Sequence, residues 1–240
     1  MINATTPWRQ HKDQPLAICT TPGEIDAQER FLYYWLARHT YRGVGEIVEI
    51  GALIGASSSC FAQGVLDNPL VTDKRHRLHV FDKFEAYPHL AEKFFPHFGI
   101  TDIKTGDDFS SIYRRYTSPF AEQILLTKTD IADMTWHGAP IEILFVDCAQ
   151  SPALSEKIMQ VFYPYLIPGV SVVVDQDFFF ERAWWFAAKA AELSDVLVPL
   201  YAEDCSLVSE CRAAIPRSRL NFDFDNAPFA ARIDALIPTA

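Results

Sequence analysis

The chain has 240 residues, 49% of them hydrophobic, and a formal charge of −10. This is enough for one sizeable core with no low-complexity linker, so a single domain over 1–240 is expected: an extension at 1–45, a core at 46–213 and a tail at 214–240. The acidic balance argues against nucleic acid, and no apolar run nears the ~18–20 residues that span a bilayer, so a cytoplasmic chain without nucleic-acid or membrane partners is expected.

In chain order, Thr21 as a cap, Pro22 and Glu24 three residues after the cap predict a helix entering through IDAQERFLYYWLARHTY. Its aromatic residues Phe31, Tyr33, Tyr34 and Trp35 read chiefly as core. A strand at 47–50, a helix at 56–66, a polar loop at 67–77 and a strand at 78–82 follow. The stretch 83–121 reads as short helices and loops before a strand at 123–128. A strand at 141–146, a helix at 154–166, a turn at Pro168 and Gly169 and a buried strand SVVVD come next. The segment FFERAWWFAAKAAEL reads as a helix, and 196–200 and 206–215 as a terminal antiparallel pair. The tail, with FDFDNAPF, is expected to pack on its own domain, cap a pocket or mediate dimerisation.

The most informative stretch is EIVEIGALIGAS, residues 46–57, where an apolar strand ending in Glu49 meets Gly51, Gly55 and a new helix. The glycines let the chain pass close to a ligand, and the helix start offers unpaired N–H groups. Leu53 stands where a dinucleotide fingerprint needs its second glycine, which makes NAD a poor fit. Asp82, closing LHVFD, supplies a carboxylate able to accept both hydroxyls of a ribose. A nucleoside ligand without pyrophosphate suits this pattern.

Through EIGALIG, VFDKFEAYP, IEILFVDCAQ and LIPGVSVVVDQ, the sequence resembles class I S-adenosylmethionine-dependent methyltransferases over roughly 20–213. VFDKFEAYP looks most like the corresponding stretch of macrocin-type sugar O-methyltransferases. The resemblance implies a Rossmann-like, doubly wound α/β fold: a mostly parallel seven-stranded sheet with a terminal antiparallel strand and helices on both faces. It implies S-adenosylmethionine as cofactor, with Glu49 and Gly51 beside the aminopropyl part, Asp82 on the ribose and Asp130 near the adenine. Gly55, Ser57 and Lys83 complete that set. Phe81 and Phe84 flank Asp82, and strand alternation places Phe81 behind the sheet.

Asp147 and Asp175 fall at carboxyl ends of strands, where they could share a cation or act as base and partner, and His137 is a second base candidate. The resembled enzymes carry D-G-D and D-D where this chain has Asp147-Cys148-Ala149 and Asp175-Gln176-Asp177. A Mg²⁺ site would therefore rest on a thin set, Asp147, Asp175 and Asp177. The remaining histidines lack zinc spacing, and the five cysteines, without C-x-x-C spacing, read as buried thiols. The segment 178–186, FFFERAWWF, is a candidate pocket wall or subunit contact.

The function these readings imply is O-methylation of a small hydroxylated metabolite, such as a sugar or secondary-metabolite intermediate. The alternatives are an enzyme of the same fold that does not methylate, through elimination, cyclisation or rearrangement, and a non-catalytic partner subunit. Assembly with a second copy or another chain stays open.

Overall fold

A computed structural model describes residues 6–10, 15–180 and 183–222. The tail from residue 223, including most of FDFDNAPF and with it the expected capping or dimerising role, lies outside the described residues.

Seven strands form one sheet: β1 (Glu46–Ile50), β2 (Leu78–Asp82), β3 (Ile124–Lys128), β4 (Ile141–Val146), β5 (Val172–Asp175), β6 (Leu197–Glu203) and β7 (Ser206–Cys211). Their order is β3-β2-β1-β4-β5-β7-β6. The first five are parallel, while β7 runs antiparallel to β5 and to β6. The expected doubly wound α/β sheet with its terminal antiparallel pair is the fold observed.

Because β4 and β5 are covered on both faces, they are apolar on both sides apart from Glu142 near the start of β4 and Asp175 at the end of β5, and alternation then decides which layer each residue joins. Ile47, Val80, Phe145 and Val174 pack into one core layer. Val48, Phe81, Leu144 and Val173 pack into the other. Over the first face lie α1 (Leu16–Thr20), α2 (Ala27–Trp35) and α3 (Ala56–Asp67). The short α4 (Phe95–His97) and α5 (Ser110–Tyr116) fall in the β2–β3 connection, and α6 (Pro152–Phe162) and α7 (Trp184–Glu192) cover the second face.

One boundary differs from expectation. The first long helix begins at Ala27, capped by Asp26, whose side chain accepts from the Glu29 amide at 2.7 Å while the Glu29 carboxylate accepts from the Asp26 amide at 3.2 Å. Thr21 instead points its hydroxyl at Ser59, 3.1 Å away, and its carbonyl accepts from the Arg30 guanidinium at 2.6 Å. The thiols also differ in part: Cys60 and Cys211 are buried as expected, whereas Cys19 is exposed. No described helix is long and apolar enough to cross a membrane.

Candidate functional site

β1 lies between β2 and β4, so the connections that leave β1 and β4 diverge and open a crevice at the carboxyl edge of the sheet. A cavity of about 670 Å³ occupies it, walled by the segments that follow β1, β2, β3, β4 and β5.

The turn after β1 forms its floor. Gly51 has φ +87° and Gly55 φ +96°, and Leu53 also adopts the left-handed region at φ +48°. A Cβ on Gly51 would fall 2.8 Å from both the Asp147 carbonyl oxygen and the Cys148 Cβ, so two strand ends meet there with no room for a side chain. Gly55 is closed in likewise, by Thr117 and Tyr113. Asp82 braces this turn: one carboxylate oxygen accepts from the amides of Ala52 at 2.8 Å and Leu53 at 3.0 Å, the other from Phe84 at 2.6 Å. Burial pushes its carboxyl up, against the pull of those amides.

Glu49 is placed differently from its expected position on the ligand. It is fully buried behind the turn, where the hydroxyls of Ser57 and Ser58 donate to its two oxygens, and desolvation raises it to about 7. Ser57 borders the cavity, yet its hydroxyl is turned back onto Glu49. The pair fastens the first turn of α3 to β1.

Lys83 and Asp130 stand together at the rim, 3.4 Å apart, and Lys83 also pairs with Glu85 at 3.2 Å. Asp130 caps the short turn Ile131–Asp133 through the Ala132 amide, which with Lys83 lowers its carboxyl. Phe81, Ile131, Met134 and Leu154 give the adjoining wall an apolar surface. Phe81 packs against Trp136 and Phe162 behind the sheet, as strand alternation predicts, and also borders the cavity. Phe84 is core, against Phe109 and Tyr113. The described residues of 178–186 do not border the cavity, which the chain leaves at Asp177.

Of the carboxylates expected to do chemistry, Asp147 and Asp177 line the cavity and Asp175 does not. The Asp147 carboxyl is pushed well up, first by burial and then by Asp177 and Glu49. Asp175 is buried on the opposite face, where Lys189 of α7 meets it at 2.5 Å and also donates to the Tyr163 hydroxyl at 3.0 Å. Its neighbour Val174 faces the first core layer, so alternation turns Asp175 toward the second. The expected Mg²⁺ set of Asp147, Asp175 and Asp177 is therefore split across the sheet. Among the described residues no group of three or more His, Cys, Asp or Glu is arranged to hold a metal. Lys189→Met should cost about 3–5 kcal/mol by stranding a buried charge, with Asp175→Asn in the same chain recovering most of it, as read by urea unfolding.

His137 is corrected as well. It precedes β4, at the amino edge of the sheet, and packs on Trp136 at 4.1 Å between ring centroids and on His79 at 5.3 Å, away from the cavity. Sequence reading missed Glu24, Tyr87, His89, Gln150 and Gln176 as wall residues. Glu24 and His89 pair at 3.3 Å, joining the segment before α2 to the segment after β2. Only Gln150 and Gln176 carried a signal, through their positions just past strand ends.

No family model matches the chain, and no curated protein matches it. Solved structures do. The chain is similar to CalS11, a TDP-rhamnose 3'-O-methyltransferase of calicheamicin biosynthesis, at 13% identity and a TM-score of 0.54, with 85% of this chain and 89% of that one covered. The O-methyltransferase NovP matches at 15% identity and 0.52 over 70% and 72%. A putative O-methyltransferase from Klebsiella pneumoniae matches at 12% identity and 0.55 over 85% and 94%. At such identities the likeness is one of fold, and this chain has the Rossmann-like fold of those methyltransferase structures.

Proposed function

We propose that this chain is an S-adenosylmethionine-dependent O-methyltransferase acting on a small hydroxylated metabolite. The observation that carries the reading is the glycine turn at the switch point of the sheet, braced by Asp82 and open to the cavity. The O-methyltransferases among the structural neighbours support it. The residues fit the cofactor: Gly51, at φ +87°, turns the chain along the cavity floor where a side chain would clash with Asp147 and Cys148, Asp82 offers the carboxylate for a ribose, and Phe81, Ile131 and Met134 offer an apolar slot for a base. Asp130 and Lys83 bound that slot at the rim, while Glu49 acts from behind by holding α3.

When bound, S-adenosylmethionine supplies a methyl group already activated by its sulfonium, so the protein has to align the acceptor and take its proton. Asp147 is the residue for that second task. Asp147 borders the cavity just past the end of β4, and burial with Asp177 nearby raises its affinity for a proton, as a base requires. Mg²⁺ does not fit these residues, because Asp175 is spent on Lys189.

Calorimetric titration with S-adenosylmethionine, S-adenosylhomocysteine and NAD tests the cofactor reading: micromolar binding of the first two and none of NAD is expected. Once an acceptor is in hand, Asp147→Asn should lower kcat about 10²–10⁴-fold and leave cofactor affinity unchanged. Transfer of a labelled methyl group separates this reading from a same-fold enzyme that does not methylate. The observation favouring that second reading is the departure at Cys148 and Ala149 together with the Asp175–Lys189 pair.

A further inference from the structure

We infer that the acceptor half of this cavity selects a molecule bearing an ammonium group, with Asp177 as its anchor and Asp147 left to face the reacting hydroxyl. The inference rests on the cofactor reading above and deepens it.

Among the described residues the cavity is bordered by six acidic ones, Glu24, Asp82, Glu85, Asp130, Asp147 and Asp177. Four have partners. Asp82 holds backbone amides. Glu85 and Asp130 share Lys83, and Glu24 meets His89. Lys83, the one Lys or Arg among the described residues of the wall, is thus already shared by two carboxylates and is not left over for a phosphate or a carboxylate. Asp147 and Asp177 accept no side-chain hydrogen bond and join no ion pair among the described residues. They follow the carboxyl ends of the adjacent parallel strands β4 and β5, both border the cavity, and both are only partly exposed.

Two like charges facing one enclosed space are stable only if one takes a proton or a cation enters between them. A metal is the usual cation for such an arrangement, but its third ligand here is on the far side of the sheet, bonded to Lys189. An ammonium needs no such cage, since one N–H donor per carboxylate suffices. A nucleotide-linked or phosphorylated acceptor would instead add negative charge to the pocket. The cofactor's sulfonium is a second source of positive charge, so the test holds the cofactor side constant and neutral at sulfur.

The protein is first saturated with S-adenosylhomocysteine, whose binding establishes the cofactor reading independently. It is then titrated by calorimetry with tyramine, 4-ethylphenol and 4-hydroxyphenylacetate, and with glucosamine, glucose and glucuronate. Within each trio the hydroxyl scaffold is kept while the charge runs from positive through neutral to negative. The amine is expected to bind about 10- to 100-fold tighter than its neutral counterpart, the range of a charge-assisted hydrogen bond, and the acids not to bind. Asp177→Asn should collapse that preference to within about threefold, with S-adenosylhomocysteine affinity retained. Equal binding within each trio, preference for the neutral or acidic member, amine preference that survives Asp177→Asn, or failure of both amines to bind the saturated protein overturns the inference. Failure to bind S-adenosylhomocysteine overturns the cofactor reading instead.

Discussion

Asp82→Ala is expected to lower the affinity for S-adenosylmethionine at least about 100-fold, about 2.7 kcal/mol, without unfolding the protein. The carboxylate has two tasks that cannot be separated in the alanine variant. It accepts from three backbone amides, those of Ala52, Leu53 and Phe84, and so holds the glycine turn against the sheet. It also borders the cavity where a ribose would be received. Each charge-assisted hydrogen bond is worth about 1.5–3 kcal/mol, so losing the brace alone reaches the expected loss. Asp82→Asn separates the tasks. Its single acceptor oxygen can still brace one side of the turn, but its NH₂ cannot accept from an amide. A loss of about tenfold would assign the effect mainly to bracing, and a loss equal to that of alanine to the need for both oxygens. Calorimetry beside a thermal melt reads both quantities. A dissociation constant unchanged in Asp82→Ala, with the melt intact, removes the turn from the cofactor site.

The sheet was legible because its strands are short apolar runs bounded by glycine, proline and acidic residues, and the alternation of strand and helix left one topology class. The start of the first long helix was not, for a local reason. Thr21 with Glu24, and Asp26 with Glu29, present the same cap spacing in close succession, and only the tertiary partners of Thr21 and Arg30 choose between them. The site was half legible. Gly51 and Asp82 act through backbone geometry that spacing encodes. Asp147 and Asp175 looked equivalent, both closing apolar strands, yet side-chain parity sends them to different faces. The one sequence sign of this was Lys189, the single basic residue in AWWFAAKAAEL, set among apolar side chains and in need of a partner if buried. His137 could have been set aside from strand direction, since a residue preceding β4 lies at the edge away from the crevice. Glu24, Tyr87 and His89 were out of reach, because long-range packing alone brings them to the mouth.

Stability is expected to fall as pH rises from about 5 to about 7.5, the reverse of ordinary acid denaturation. Glu29 and Glu49 are 1% and 0% exposed, and desolvation raises each to about 7. In the unfolded chain both return to about 4.5, the usual glutamate range. Between those values the folded state binds more protons than the unfolded one, so the stabilisation is whole below about 4.5 and is lost as pH climbs through about 7. A tenfold change in an acid dissociation constant is worth about 1.4 kcal/mol, so each group contributes at most about 3 kcal/mol. Asp82 and Asp147, raised in the same direction, add to the slope. Asp108, lowered to about 2 beside Lys128, is ionised in both the folded and the unfolded chain across this window, so it leaves the slope unchanged. Urea midpoints at about pH 5, 6 and 7.5 read the slope directly. Glu49→Gln keeps an acceptor for Ser57 and Ser58 and removes the titration, so it should flatten the slope by roughly one group's share. A midpoint that rises with pH, or a slope indifferent to Glu49→Gln, would mean that the buried carboxylates are ionised and compensated. In a sheet where Glu49 ties β1 to α3, that charge would have to be balanced at the glycine turn itself.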